Sequence, residues 1–233
     1  MGKITRSFQL LLFLIIALVY SVSCSSDSTS ANEEIEYGSV VDVDNNNYKT
    51  VVIGNQEWMA ENLKTSRFQD GTDILHEPNK EVFGRLETGA WIRYENNAGS
   101  VNSYGKLYNW FAVDDERGLC PSGWKVPNES DWNELEHYLG ENAGGKLKEI
   151  NGQYWESPNT GATNSTGFSA RPGGFLIGSS FYNEGHAGYW WSSTVTESDR
   201  EQVHVRRLVY RESTISKEIF YITFAMSVRC IKS

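Results

Sequence analysis

The fifteen residues GLCPSGWKVPNESDW, Gly118 to Trp132, restrict the fold most, because they set a helix at one place in a chain otherwise written for strands and loops. Asn128 offers an N-cap oxygen, Glu129 and Asp131 suit the positive end of the helix dipole, and Gly140 supplies the stop. Trp132, Leu135 and Leu139 then recur at i, i+3 and i+7 and form one apolar face. Pro121 and Pro127 stiffen the approach to this helix, and Gly123 permits a turn between them. A second short helical piece fits Gly145 to Ile150. Beyond it, GATNSTGFSARPGGF is too rich in glycine for regular helix.

The flanks of this helical region read differently. VVDVDNNNYKTVVIGNQEWMAENL, Val40 to Leu63, holds two β-rich runs around DNNN and predicts a hairpin. The stretch that follows, to about Glu95, is loop-rich, with QDGTD as a turn signal. SYGKLYNWFAV, Ser103 to Val113, packs four aromatics into eleven residues, and its periodicity admits either a short helix or a buried strand. GYWWSST, QVHVRRLVY and YITFAMSVRCIKS alternate in a β manner, and no internal repeat is present. The expected class is α+β: an early β-hairpin, one or two helices, long loops and a closing antiparallel sheet.

At the N-terminus, Lys3 and Arg6 precede an apolar run from Leu10 to Tyr20, which is too short to span a bilayer and is followed by small residues, so residues 1–23 read as a signal segment. VYSVSC ending at Cys24 resembles a bacterial lipoprotein signal, with Ser21 standing where such signals carry Leu, Val or Ile. That resemblance implies lipidation of Cys24 and a membrane anchor without a transmembrane helix. The other reading is an ordinary signal cleaved nearby, with Cys24 as a plain thiol. Residues 24–38 read as a flexible linker, and residues 39–233, roughly 195 in number, suit one domain. Removal of residues 1–23 leaves 19 cations against 30 acids, a net charge of −11. So acidic a body argues against nucleic acid as a partner, because phosphate contacts need clustered Lys and Arg.

Several phrases, in this order, resemble the Fibrobacter succinogenes major paralogous domain family of Bacteroidota and Fibrobacter lipoproteins. They are TVVIGNQEWMAENLK, YGKLYNWFAV, LCPSGWKVPNESDW, GFSARPGG, YWWSST and SVRCIK, which together cover almost all of residues 39–233. WKVPNESDW, then WWSS, then SVRC also look like the helix start and the ending of the sulfatase-modifying group. That second resemblance implies a C-type-lectin-like fold with its N- and C-terminal strands close together.

With Cys24 lipidated, Cys120 and Cys230 are the remaining thiols, and in an exported protein the pair predicts a disulfide. C-type-lectin-like folds tie the first helix to the last strand in this way. The rival is a reactive thiol at a helix N-terminus. Other chemical motifs fail on their own residues. GENAGGK lacks the Ser or Thr of a phosphate loop and follows a helix, where that motif needs a strand. DVDNNN has Asn47 where a calcium loop needs glycine and Ile53 where it needs a bidentate Glu. EPN at Glu77–Asn79 matches the sugar-binding tripeptide of mannose-type lectins but lies before the main helix. The four histidines lack metal spacing, no G-x-S-x-G turn is present, and no metal or cofactor is expected.

Aromatics are the remaining signal, with eight Trp and twelve Tyr. Trp190 and Trp191 point to opposite sides of a strand, so both are core only if both faces are covered. The lectin-like resemblance places a ligand surface between about Phe175 and Tyr210 and makes Tyr182, His186, Trp190, Trp191, Arg206 and Tyr210 contact candidates. The functional expectation is a lipid-anchored binding or adhesion module at the outer membrane or cell surface, with a polysaccharide or a cell-surface protein as partner. The alternatives are a glycan-acting hydrolase or modifying enzyme and a structural subunit of a surface assembly.

Overall fold

A hairpin opens the fold where the alternation of residues calls for one. The computed structural model describes residues 34–233; the signal segment, Cys24 and most of the 24–38 linker lie outside the described residues. Strands β1 (Gly38–Val41) and β2 (Asn47–Ile53) pair antiparallel, with Val41 opposite Asn47. The Asp42 carboxylate shapes the turn by accepting from the backbone N–H of Asp44 and Asn46, the Asn46 amide and the Tyr48 hydroxyl, at 2.6–2.9 Å. Both its oxygens are therefore engaged by protein donors, which is the chemistry of an Asx-type turn rather than a calcium loop. Strand β3 (Gln56–Met59) continues antiparallel to β2.

The next stretch builds a small sheet from β4 (Leu75–His76), β5 (Ala90–Ile92) and β6 (Leu107–Tyr108), with α1 (Lys80–Phe83) and α2 (Ala98–Tyr104) as connections. The aromatic run Ser103–Val113 thus divides into the end of α2, strand β6 and a single turn, α3 (Trp110–Val113). Gly105 makes the division. It adopts φ +75°, and a Cβ there would lie 2.7 Å from the Leu63 carbonyl oxygen.

Strand β7 (Trp124–Lys125) leads into α4 (Glu129–Leu139). The Asn128 side chain accepts from Asp131 N–H at 2.9 Å while the Asp131 carboxylate accepts from Asn128 N–H at 2.8 Å, a reciprocal cap. Trp132, Leu135 and Leu139 are buried in one cluster with Val51, Ile53 and Trp58, and the Trp58 and Trp132 rings lie 4.8 Å apart. Helix α5 (Ala143–Leu147) follows.

The closing sheet contains β8 (Gly173–Ile177), β9 (Ser180–Glu184), β10 (Ala187–Val195), β11 (Gln202–Val209) and β12 (Ser216–Tyr221), in the order β12-β11-β10-β8-β9. Strands β10, β11 and β12 are antiparallel neighbours, and β8 lies parallel to β10. Strand β13 (Ile231–Lys232) sits between β3 and β7 and completes the first sheet, β1-β2-β3-β13-β7.

The segment Ala225–Cys230 joins these layers. Ala225 exchanges backbone hydrogen bonds with Leu176 of β8, Met226 exchanges them with Tyr108 of β6, and Ser227 bonds to Tyr189 and Trp191 of β10. Val228 and Cys230 offer their carbonyls to Leu63 and Met59 beside the first sheet. Every residue of the segment is buried. The last strand is accordingly much shorter than the alternation of YITFAMSVRCIKS predicts, because most of this run serves three different partners in turn. Cys120 and Cys230 form a disulfide that ties this segment to the approach to β7, 110 residues away in sequence.

Candidate functional site

Both faces of β10 are covered. Trp190 packs with α4 and β3 residues in one core cluster, Trp191 with α3 and β6 residues in another, and the two side chains are 1% and 0% exposed. Trp190 Nε1 donates to the Asn62 side chain at 2.8 Å and Trp191 Nε1 to the Tyr108 carbonyl at 2.7 Å, so each indole is also satisfied internally. They are structural residues, and the expectation of ligand contact is corrected for both.

Arg206 needs the same correction. It is 1% exposed and bonds to Glu129, to Glu136 and, at 2.8 Å, to Asn133, all on α4. Glu129 also meets Lys217 at 2.7 Å and His204 at 3.2 Å. Burial pushes the Glu129 carboxyl up, but hydrogen bonds from Lys217 and Arg206 outweigh it and hold the group below its ordinary range. Arg206 therefore clamps α4 onto β11 and is closed to a ligand.

Tyr182, His186 and Tyr210 remain at the surface. Tyr182 is exposed on the edge strand β9 and stacks on Phe175 at 5.6 Å. His186, in the turn after β9, lies edge-on to Tyr210 at 5.1 Å. Arg211 covers Tyr210 at 4.8 Å.

Around the end of β9 the structure gathers further groups that the sequence keeps apart. Glu184 lies close enough to Tyr104, at the end of α2, and to Tyr94 for its charge to act on both phenols. Tyr154 meets Tyr104 edge-on at 5.8 Å, and the Arg171 guanidinium lies 4.1 Å over the Tyr154 ring. Arg171 is held in place by the Glu149 carboxylate and by the Ser103 carbonyl at 3.0 Å. Burial and the nearby Glu95 push the Glu184 carboxyl up. Burial, reinforced by Glu184, pushes the Tyr104 phenol up to about 12. Gly174 makes room for the cluster: it adopts φ +62°, and a Cβ there would fall 2.1 Å from the Tyr182 carbonyl and 3.0 Å from the Tyr94 ring.

Tyr94, Tyr104, Tyr154, Arg171 and Glu184 come from five separated segments, and none was marked as a contact residue by the sequence. The available signals were the aromatic density of SYGKLYNWFAV and the adjacent aromatics of QYWES. Chemically, the cluster offers rigid rings whose faces and edges suit C–H surfaces, beside a carboxylate and a guanidinium for hydroxyl groups. Among the described residues no set of three His, Cys, Asp or Glu side chains converges as a metal site, and no helix is long and apolar enough to cross a membrane.

No curated protein and no solved structure matches the chain. The profile of the Fibrobacter succinogenes major domain, in contrast, matches residues 51–232, from β2 to β13 and through both half-cystines and all the phrases of the core. The chain is a member of the Fibrobacter succinogenes major domain family.

Proposed function

We propose that this protein is a lipid-anchored, exported binding module with a C-type-lectin-like domain, and that its ligand is a polysaccharide held at the Tyr104–Tyr154–Arg171–Glu184 surface. The observation that carries the reading is the Arg171 guanidinium over the Tyr154 ring, with Tyr104 edge-on to Tyr154 and Glu184 near Tyr104. Tyrosine supplies contact area with little side-chain entropy to lose, and fixed charged groups beside it read hydroxyl geometry. The lectin-like assignment rests on the helix-start and ending motifs and on the α+β arrangement that closes near its first sheet.

Affinity electrophoresis through gels containing xylan, mannan or soluble β-glucan tests the reading. The protein is expected to be retarded by at least one of them, and Tyr154→Ala is expected to weaken that retardation about tenfold or more in Kd, the loss typical of a central aromatic contact. Absence of retardation by every polysaccharide, or retardation that Tyr154→Ala leaves unchanged, overturns it.

The anchor has its own test. In cell fractionation the wild-type protein is expected with membranes and Cys24→Ser in the soluble fraction; a variant that stays with membranes counts against lipidation.

One observation favours a second, enzymatic reading. Glu87, Trp110, Phe111 and Asp114 line an open groove, and burial, with Asp115 next to it, pushes the Asp114 carboxyl up as a general acid requires. Release of reducing sugar by the pure protein would establish that reading in place of binding alone.

A further inference from the structure

A second group of side chains meets where β4 and β5 approach the loop that follows β3. Lys106 Nζ donates to the Ser66 hydroxyl at 2.5 Å and lies 3.7 Å above the centre of the Trp91 ring. His76 stacks on Trp91 at 3.9 Å with the planes nearly parallel, so it takes the face opposite Lys106. Lys106 is 6% exposed, whereas Ser66 is half-buried. The Ser66 backbone is pinned on both sides, its N–H by Asp44 and its carbonyl by Ile74 N–H.

The charges facing Lys106 are Asp44 and Asp42 from the β1–β2 turn, Arg93 from the end of β5, and His76 from β4. Lys106 makes no ion pair among the described residues; Asp44 is taken by Arg67 at 2.5 Å. Burial and Arg93 outweigh the two carboxylates and pull the amine down to about 8. Above that value the amine is neutral, and a neutral amine in hydrogen-bond reach of a hydroxyl is the arrangement that activates a serine.

We propose that Ser66 and Lys106 form a serine–lysine dyad that attacks ester substrates, with Ser66 as nucleophile and Lys106 as general base. This goes beyond the binding reading and does not rest on it. In the first half-reaction, Ser66 Oγ bonds to the acyl carbon as its proton passes to the neutral Lys106 amine. The bond from the acyl carbon to the alcohol oxygen breaks, and the alcohol leaves with that proton. In the second, Lys106 takes a proton from water as the water oxygen bonds to the acyl carbon. The bond to Ser66 Oγ breaks, Oγ recovers the proton, and the carboxylic acid is released.

The test labels the purified wild-type chain with a fluorophosphonate and follows hydrolysis of p-nitrophenyl acetate. The adduct is expected on Ser66 in peptide mapping. Its rate of formation is expected to rise about tenfold per pH unit at low pH and to level off above about 8. Ser66→Ala is expected to abolish both signals, and Lys106→Met to slow labelling about a hundredfold or more. Lys106→Arg keeps a cationic side chain but cannot accept the proton, so, with its fold checked by circular dichroism, it too is expected to lose labelling. Label at another residue, no label at all, or wild-type labelling in Lys106→Arg overturns the proposal.

Discussion

Asn62→Leu is expected to lower the free energy of unfolding by about 3–5 kcal/mol, the range for removing one partner of a buried charge. Asn62 Oδ1 accepts from Trp190 Nε1 at 2.8 Å and from Arg229 Nε and Nη2 at 3.1 and 2.7 Å. Its amide donates to the Tyr104 carbonyl at 2.8 Å and to Ser227 Oγ at 3.2 Å. Arg229 is 1% exposed, has no ion pair among the described residues, and rests on the Phe168 ring at 4.2 Å with one further bond to the Phe168 carbonyl. Burial, with Arg171 nearby, outweighs Glu61 and Glu149 and pulls its guanidinium down to about 9. Leucine has a similar volume but no polar atom, so the guanidinium and the Trp190 indole would lose their acceptor in a dry interior. Urea unfolding of Asn62→Leu, Arg229→Met and the double variant measures the effect. The double variant is expected to cost less than the sum, because both partners are then gone, with a coupling of about 0.5–3 kcal/mol. A loss under about 1 kcal/mol in Asn62→Leu would show that the network is dispensable.

Loss of the Cys120–Cys230 bond is expected to be as costly. The bridge closes a loop of 110 residues, and the chain-entropy model assigns such a loop about 4–5 kcal/mol, with native disulfides giving about 2–5 kcal/mol in practice. For a domain of this size each kcal/mol moves the melting temperature by about 2–4 °C, so the Cys120→Ala, Cys230→Ala double variant is expected to melt roughly 10 °C below wild type. Calorimetry with and without reductant checks it, and intact mass should differ by two hydrogen atoms between the two conditions. Equal melting temperatures would mean that the reduced chain already keeps its ends together through the buried Ala225–Cys230 segment.

Local pattern carried what the sequence disclosed. The cap at Asn128, the stop at Gly140 and the Trp132–Leu135–Leu139 face all depend on residues within two or three turns, and α4 follows them. The β1–β2 hairpin and the cysteine pairing were readable for similar reasons: a short turn in one case and few thiols in the other. Trp190, Trp191 and Arg206 were misplaced because their burial is set by elements far away in sequence. For Arg206 a sign did exist, since Glu129, Asn133 and Glu136 fall at i, i+4 and i+7 and give α4 a polar stripe facing inward. For the Tyr104–Tyr154–Arg171–Glu184 cluster aromatic density was the only sign, because its members come from segments far apart in sequence.

The Ala225–Cys230 segment also fixes an order of events during synthesis. Every strand that it bridges is made before it, so the three sheets leave the ribosome with their shared seam still missing. Contacts of such long sequence separation close late. A copy interrupted before Ala225 would hold nearly all the residues of the domain yet lack the backbone seam that ties its sheets together, and quality-control proteases would meet it partly open.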